Sequence, residues 1–344
     1  MKYLFFNDYS EGAHPKILEL MASTNLTQEN GYGEDSVSIK ASQLIKDVIK
    51  KRDADIHFVS GGTQANLIVL SSLLKPYESV ISASTGHINV HEAGAIEATG
   101  HRINAVDTND GKLTINDIKQ VVESHTDEHM VKPRVVFISN STEVGTIYSK
   151  GELESISQYC HQNSLYLYLD GARIGSGITS KDSDLTLKDI AKLVDIFYIG
   201  GTKNGALLGE AIVIPNRELQ LNFRYHLKQH GALLAKGRAL GVQFLALFTD
   251  RLFFELAKHA NSMAEKLTNG IKELGYSFQT DSTTNQIFPI LPNSVIEKLK
   301  TDYGFYVWSK IDDSSSSIRL VTSWATKEEM VDGFIDDLKL VSEK

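Results

Sequence analysis

Between residues 55 and 215 short apolar runs alternate with stretches of helical periodicity, and this alternation constrains the fold more than any other feature. Ile56–Val59, Val80–Ala83, Arg102–Val106, Arg134–Ser139, Tyr166–Asp170, Asp195–Ile199 and Ala211–Ile214 read as strands. Helices are expected over Thr63–Leu74, about Asn89–Ala98, Thr114–His125 and Glu152–Asn163. In the third of these, Ile115, Ile118 and Val121-Val122 share one face. Strands alternating with helices imply βαβ crossovers, and so an α/β fold built on a mostly parallel, seven-stranded sheet.

The pattern changes after Pro215. Residues 217–274 look almost wholly helical, with an apolar stretch around Phe244–Leu256, and short strands and two helices follow. Thr326 with Glu329 three residues later has the form of a capping box for the last helix. Ser314–Ser317 reads as a loop tip. The expected division is an N-terminal arm over 1–15, a large domain over 16–250 and a small C-terminal α+β domain over 251–344. Hydrophobic residues at 42% and charged residues at 23% exclude a disordered chain. A net charge of −8 argues against a nucleic-acid-coating protein. Cys160 is the single cysteine, so no internal disulfide and no cysteine-rich zinc site can form, and a reducing cytoplasm is the expected location. No apolar run approaches the ~18 residues of a membrane helix, and the opening Tyr3-Leu4-Phe5-Phe6 is too short for a signal peptide.

In open parallel sheets ligands bind beyond the carboxyl ends of the strands, so the residues that follow strands carry the functional argument. Ser60-Gly61-Gly62-Thr63 lies between a strand and a helix, where free N–H groups suit a phosphate. Alone it is equally an ordinary turn, and it lacks the Lys-Ser/Thr of a nucleotide-binding Walker loop. Asp170 ends one strand and is followed by Gly171-Ala172-Arg173; by itself it is equally a helix cap or the partner of Arg173. Lys203 follows another strand, within Gly200-Gly201-Thr202-Lys203-Asn204-Gly205, where glycines leave room beside the ammonium. His87 and His91 stand at i, i+4, but Glu92 is misplaced for a His-Glu-x-x-His site and no metal is expected.

Together, in this order, the glycine turn, strand-end Asp and strand-end Lys resemble pyridoxal-phosphate (PLP) enzymes with the aspartate-aminotransferase fold, whose large domain has three layers. Tyr32-Gly33-Glu34-Asp35, Ser60–Thr63, Leu169–Ile174 and Ile318–Thr322 are similar to motifs of the L-threonine aldolase family, from Asn7 to about Thr322. The resemblance implies retro-aldol cleavage of L-threonine, L-allo-threonine and related β-hydroxy-α-amino acids to glycine and an aldehyde. It assigns Lys203 as the Schiff-base lysine, Asp170 as partner of the pyridine nitrogen and His87 as the imidazole on the ring face. Gly62, Thr63 and Thr202 match the phosphate cup. Ser10, Arg173 and Arg319 match the groups that take the substrate carboxylate, since a guanidinium fork can grip a carboxylate in two places.

Tyr32 matches a residue that reaches the neighbouring subunit's site, which implies a homo-oligomer, a dimer of dimers. Two positions depart from the family pattern. Glu143 stands where many members carry a histidine, and is with His87 a candidate base. An expected cofactor-binding arginine is missing, and Lys236 or Arg238 would supply its charge. A β-eliminating lyase or aminotransferase would use the same Lys and Asp, and a non-catalytic binding protein would be expected to have lost some of these groups.

Overall fold

The computed structural model describes residues 1–342. The first strand, β1 (Tyr3–Leu4), belongs with the C-terminal part of the chain. Seven strands form the central sheet: β2 (Asp55–Val59), β3 (Glu78–Ala83), β4 (Arg102–Val106), β5 (Lys132–Ser139), β6 (Tyr166–Asp170), β7 (Ile196–Gly200) and β8 (Glu210–Ile214). Their order is β2-β8-β7-β6-β5-β3-β4, and β8 alone runs against its neighbours. Side chains alternate between two cores. Ile81, Val136, Ile138, Leu167, Leu169, Phe197 and Ile199 face one, and Val80, Val135, Phe137, Tyr168, Ile196 and Tyr198 the other. Period-two alternation with apolar residues on both faces is what a sheet covered on both sides requires. The helices Ser36–Ile49 and Arg238–Phe248 supply one cover and Gly62–Leu73 the other, giving three layers.

A third apolar cluster gathers Phe5, Met263, Leu267, Ile271, Ile287, Leu291, Ile318, Val331, Phe334 and Leu338. Here β9 (Gln286–Ile287), β10 (Ile290–Pro292), β12 (Tyr306–Lys310) and β13 (Ser315–Val321) pair antiparallel, while β1 pairs in parallel with β11 (Tyr303–Gly304). The 22-residue helix Leu252–Glu273 belongs to both bodies: Leu252, Phe253 and Leu256 pack under the sheet, and Met263 to Ile271 in the third cluster. Residues 343 and 344 of the expected C-terminal domain lie outside the described residues.

Four local expectations change. The stretch 89–98 is two short helices, His87–Val90 and Ala95–Ala98, because Ala93 and Gly94 take positive φ between them. The run 217–274 is broken at 230–237 and again at Asp250 and Arg251, which are also left-handed. Ser315–Ser317 is strand, with Ser317 fully buried. The last helix begins at Glu328, two residues beyond Thr326, whose hydroxyl oxygen accepts instead from the Ser323 N–H and the Tyr3 hydroxyl.

Backbone meets backbone where β6 and β7 end. Gly171 accepts a hydrogen bond from the Gly200 N–H at 2.9 Å. A Cβ on Gly171 would collide with the Tyr198 carbonyl oxygen, and one on Gly200 with the Ala172 carbonyl. This close approach sets the residue after each strand beside the other. Gly171→Ala is expected to cost about 1–3 kcal/mol through overpacking, read as a lower urea midpoint at unchanged m-value.

Candidate active site

Asp170, Lys203, His87, Glu143, Gly62 and Thr63 lie at or just beyond strand ends of the central sheet, while Asp8 and Ser10 come from the arm and Arg319 from β13. Asp170 is the last residue of β6 and is buried. A buried carboxylate needs donors, and three elements supply them. Its Oδ1 accepts from the Tyr198 hydroxyl at 2.6 Å and from the Ala172 N–H at 2.9 Å, and its Oδ2 from Asn66 Nδ2 at 3.2 Å. Lys203, three residues beyond β7, is half-buried. Burial, then the Arg173 guanidinium, push its ammonium below the ordinary lysine value, against the opposing pull of Asp8, Asp170 and Glu210. Such a lysine releases its proton more readily and attacks a carbonyl more readily.

His87 opens the short helix after β3, and its Nδ1 lies 2.7 Å from Glu92 Oε1. Its main-chain N–H donates to Glu143 Oε1 at 3.0 Å, and the Ser139 hydroxyl donates to the same oxygen at 2.9 Å. Burial, then Asp170, raise the Glu143 carboxyl above its ordinary value. The two base candidates of the sequence thus stand side by side.

Of the groups matched to the substrate carboxylate, Arg173 has a protein partner of its own. The fork of Arg173 is already engaged: Nε and Nη2 donate to Asp8 Oδ2 and Oδ1 at 2.8 and 3.1 Å. Asp8 is fully buried and also accepts from Asn285 Nδ2 at 2.9 Å. Arg319 keeps more of its donors unused: among the described residues its Nε is buried without a partner, and its Nη2 donates to the Phe6 carbonyl at 3.3 Å. Tyr306 and Trp308 hold that guanidinium by their ring faces. Burial, then Arg173, lower the Arg319 guanidinium from its ordinary value. Ser10 lies on the same arm, exposed and bonded to Asn7 Oδ1.

Gly62 and Thr63 open the helix Gly62–Leu73, whose N-cap Gly61 offers no side-chain acceptor, so the first N–H groups are free for an anion. The Thr202 hydroxyl accepts from the Gly209 N–H at 2.9 Å beside Lys203. Tyr32 and Lys236 lie elsewhere: the Tyr32 N–H donates to the Ala235 carbonyl at 3.3 Å, and neither side chain bonds to the cluster. Arg238 is spent on the carbonyls of Thr27 and Asn25.

Sequence reasoning missed Asp8, Asn66, Glu92, Tyr198 and Glu210. Asn66 carries a usable signal, a polar residue among the buried Ala65, Ile68 and Val69. Glu210 carries another, a charge opening an apolar strand. Glu210 accepts from the Gly201 N–H at 2.8 Å, and burial raises its carboxyl to about 7.

The family model described as beta-eliminating lyase matches residues 8–293. The chain is 33% identical over 343 residues to the low specificity L-threonine aldolase of Pseudomonas aeruginosa, covering 98% of this chain and 97% of the relative. It superposes on a solved structure of Leishmania major threonine aldolase with a TM-score of 0.97 at 51% identity, covering 98% and 99% of the two chains. An aspartate aminotransferase of Thermus thermophilus shares the fold, with a TM-score of 0.72 at 14% identity over 98% of this chain and 91% of the other.

The Asp8–Arg173 pair gives a stability test. Asp8→Asn leaves a guanidinium uncompensated and is expected to cost about 3–5 kcal/mol, read by urea denaturation. Burial works to raise the Asp8 carboxyl, but Arg173 and Lys203 outweigh it and hold it below its ordinary value. The pair's contribution is therefore complete above the unfolded pKa of about 3.9 and is lost as pH falls through the lower folded value.

Proposed function

The chain belongs to the beta-eliminating lyase family, and on that premise we propose that it is a PLP-dependent threonine aldolase, a carbon–carbon lyase that cleaves L-threonine and L-allo-threonine to glycine and acetaldehyde. One observation carries the reading beyond kinship. A donor-rich carboxylate, an ammonium with a lowered pKa and an unpaired guanidinium converge at the carboxyl edge of one sheet.

The residues fit the cofactor. Lys203 would attach it, Asp170 would face its pyridine nitrogen, His87 its ring, and the free N–H groups at Gly62 and Thr63, with Thr202, its phosphate. When bound, it supplies an electron sink for the pair released from the Cα–Cβ bond. The rest falls to the chain. Arg319 grips the substrate carboxylate, with the remaining Nη1 of Arg173 and the Ser10 hydroxyl beside it, and so fixes which bond at Cα is broken. Asp170 would hold a proton on the pyridine nitrogen of the bound cofactor. His87, or Glu143 through a water, takes the proton from the β-hydroxyl oxygen.

We further infer a homo-oligomer, a dimer of dimers, in which Tyr32 and Lys236 serve the neighbouring subunit's site. Tyr32 is 45% exposed, and the large apolar side chains Leu221, Tyr225 and Leu234 are exposed as well. The proposed division remains 1–15, 16–250 and 251–344, and the proposed location the cytoplasm, where a buried unpaired Cys160 stays reduced.

Borohydride reduction of the PLP-loaded protein is expected to tag Lys203, and Lys203→Ala to lose both tag and activity; a tag elsewhere sinks the assignment. Threonine without added keto acid should yield acetaldehyde and glycine in equal amounts, whereas pyruvate and ammonia would mean elimination. Arg319→Ala should raise the KM for threonine about 10- to 100-fold, the loss of a charge-assisted contact, with a smaller change in kcat.

A further inference from the structure

Three buried residues behind His87 form a chain that the aldolase reading does not use. Asn66 is fully buried in the helix Gly62–Leu73. Its Oδ1 accepts from the Tyr168 hydroxyl at 2.7 Å, and its Nδ2 donates to Glu92 Oε1 at 2.7 Å and to Asp170 Oδ2 at 3.2 Å. The amide orientation follows from chemistry: turned over, its oxygen would face two carboxylates and its nitrogen a hydroxyl. The Glu92 carboxylate has no exposed surface. Its Oε1 takes both Asn66 Nδ2 and His87 Nδ1, while Oε2 is buried without a partner. Both hydrogen-bond contacts of the Glu92 carboxylate among the described residues fall on the one oxygen that faces His87.

An ionised carboxylate only accepts, so the nitrogen it faces must carry the proton. We propose that Glu92, locked by Asn66, is the positioning residue of His87, fixing it as the Nδ1–H tautomer so that Nε2 meets the cleft with a free lone pair. Nε2 has no hydrogen-bond partner among the described residues and is not enclosed. His87 is thereby the acceptor of the β-hydroxyl proton: Nε2 gains it, and the ring's new positive charge lies against Glu92. Because Asn66 also holds Asp170, the group beside the pyridine nitrogen and the group that takes the proton share one rigid amide. This rests on the aldolase reading for its chemistry, but the tautomer does not depend on it.

The test has two arms. Neutron diffraction from deuterium-exchanged crystals of the PLP-loaded protein at alkaline pH should show deuterium on His87 Nδ1 and none on Nε2. Deuterium on Nε2, alone or with Nδ1, overturns the proposal. In the second arm, Glu92→Ala is expected to lower kcat for acetaldehyde release about 10²–10⁴-fold, the range of a positioned base, with the absorbance of the bound cofactor kept. Glu92→Gln should recover at least about tenfold of that loss, because Asn66 Nδ2 and the His87 Nδ1–H both require an acceptor there and so place the Gln carbonyl oxygen where Oε1 stood. Equal losses in the two variants, or loss of bound cofactor in both, would make Glu92 merely structural and refute the assignment. If the wild-type protein released no acetaldehyde, the aldolase reading would fall while the neutron arm still judged the tautomer.

Discussion

The structure turns on holding charge where water is scarce. Asp170 is a carboxylate at 4% exposure, and an unsatisfied ion in such a place costs several kcal/mol. Its donors come from β7, from the turn after β6 and from the helix behind the sheet. To meet one carboxylate, these elements must converge at a single point, and that convergence makes the cleft. The glycines at 171 and 200 let the two strand ends close to backbone contact, so Lys203 emerges next to the aspartate. The same logic repeats at Asp8, where a second buried carboxylate orders Arg173 and Asn285.

The parallel sheet was legible because βαβ units bury both faces of the inner strands, so β3, β5, β6 and β7 read as apolar runs with sharp ends, while the edge strand β4 does not. Strand ends then located Asp170 and Lys203 directly. The breaks at Ala93-Gly94 and at Asp250-Arg251 were not legible, since positive φ at a non-glycine residue leaves no mark in hydrophobic spacing. Ser315–Ser317 misled because serine is a turn former by composition, whereas here Ser316 and Ser317 spend their hydroxyls on Asn293 and the Phe288 carbonyl inside a sheet.

The partners of the site were harder to read than its principals. Asp8 lies 165 positions from Arg173, and Asn66 lies 104 from Asp170. No local pattern links such residues; only the three-layer packing brings them together. Arg173 shows what this costs a reading by residue type. A guanidinium suits a substrate carboxylate and a neighbouring aspartate alike, and here Asp8 takes Nε and Nη2 and leaves Nη1. Glu143 illustrates the reverse, for the family resemblance singles it out in sequence while its contact with the His87 main chain appears only in three dimensions.

The arm has a consequence for how the molecule tolerates change. Terminal segments are ordinarily the most expendable part of a chain. Here Tyr3 and Leu4 add a strand to the C-terminal body, Phe5 enters its core, and Asp8 reaches the central sheet. Within six residues the chain stitches both bodies to the anion grip. Trimming this segment would be felt as lost affinity before it was felt as lost solubility, and substitutions drifting into residues 3–8 should be purged as strictly as those in the core.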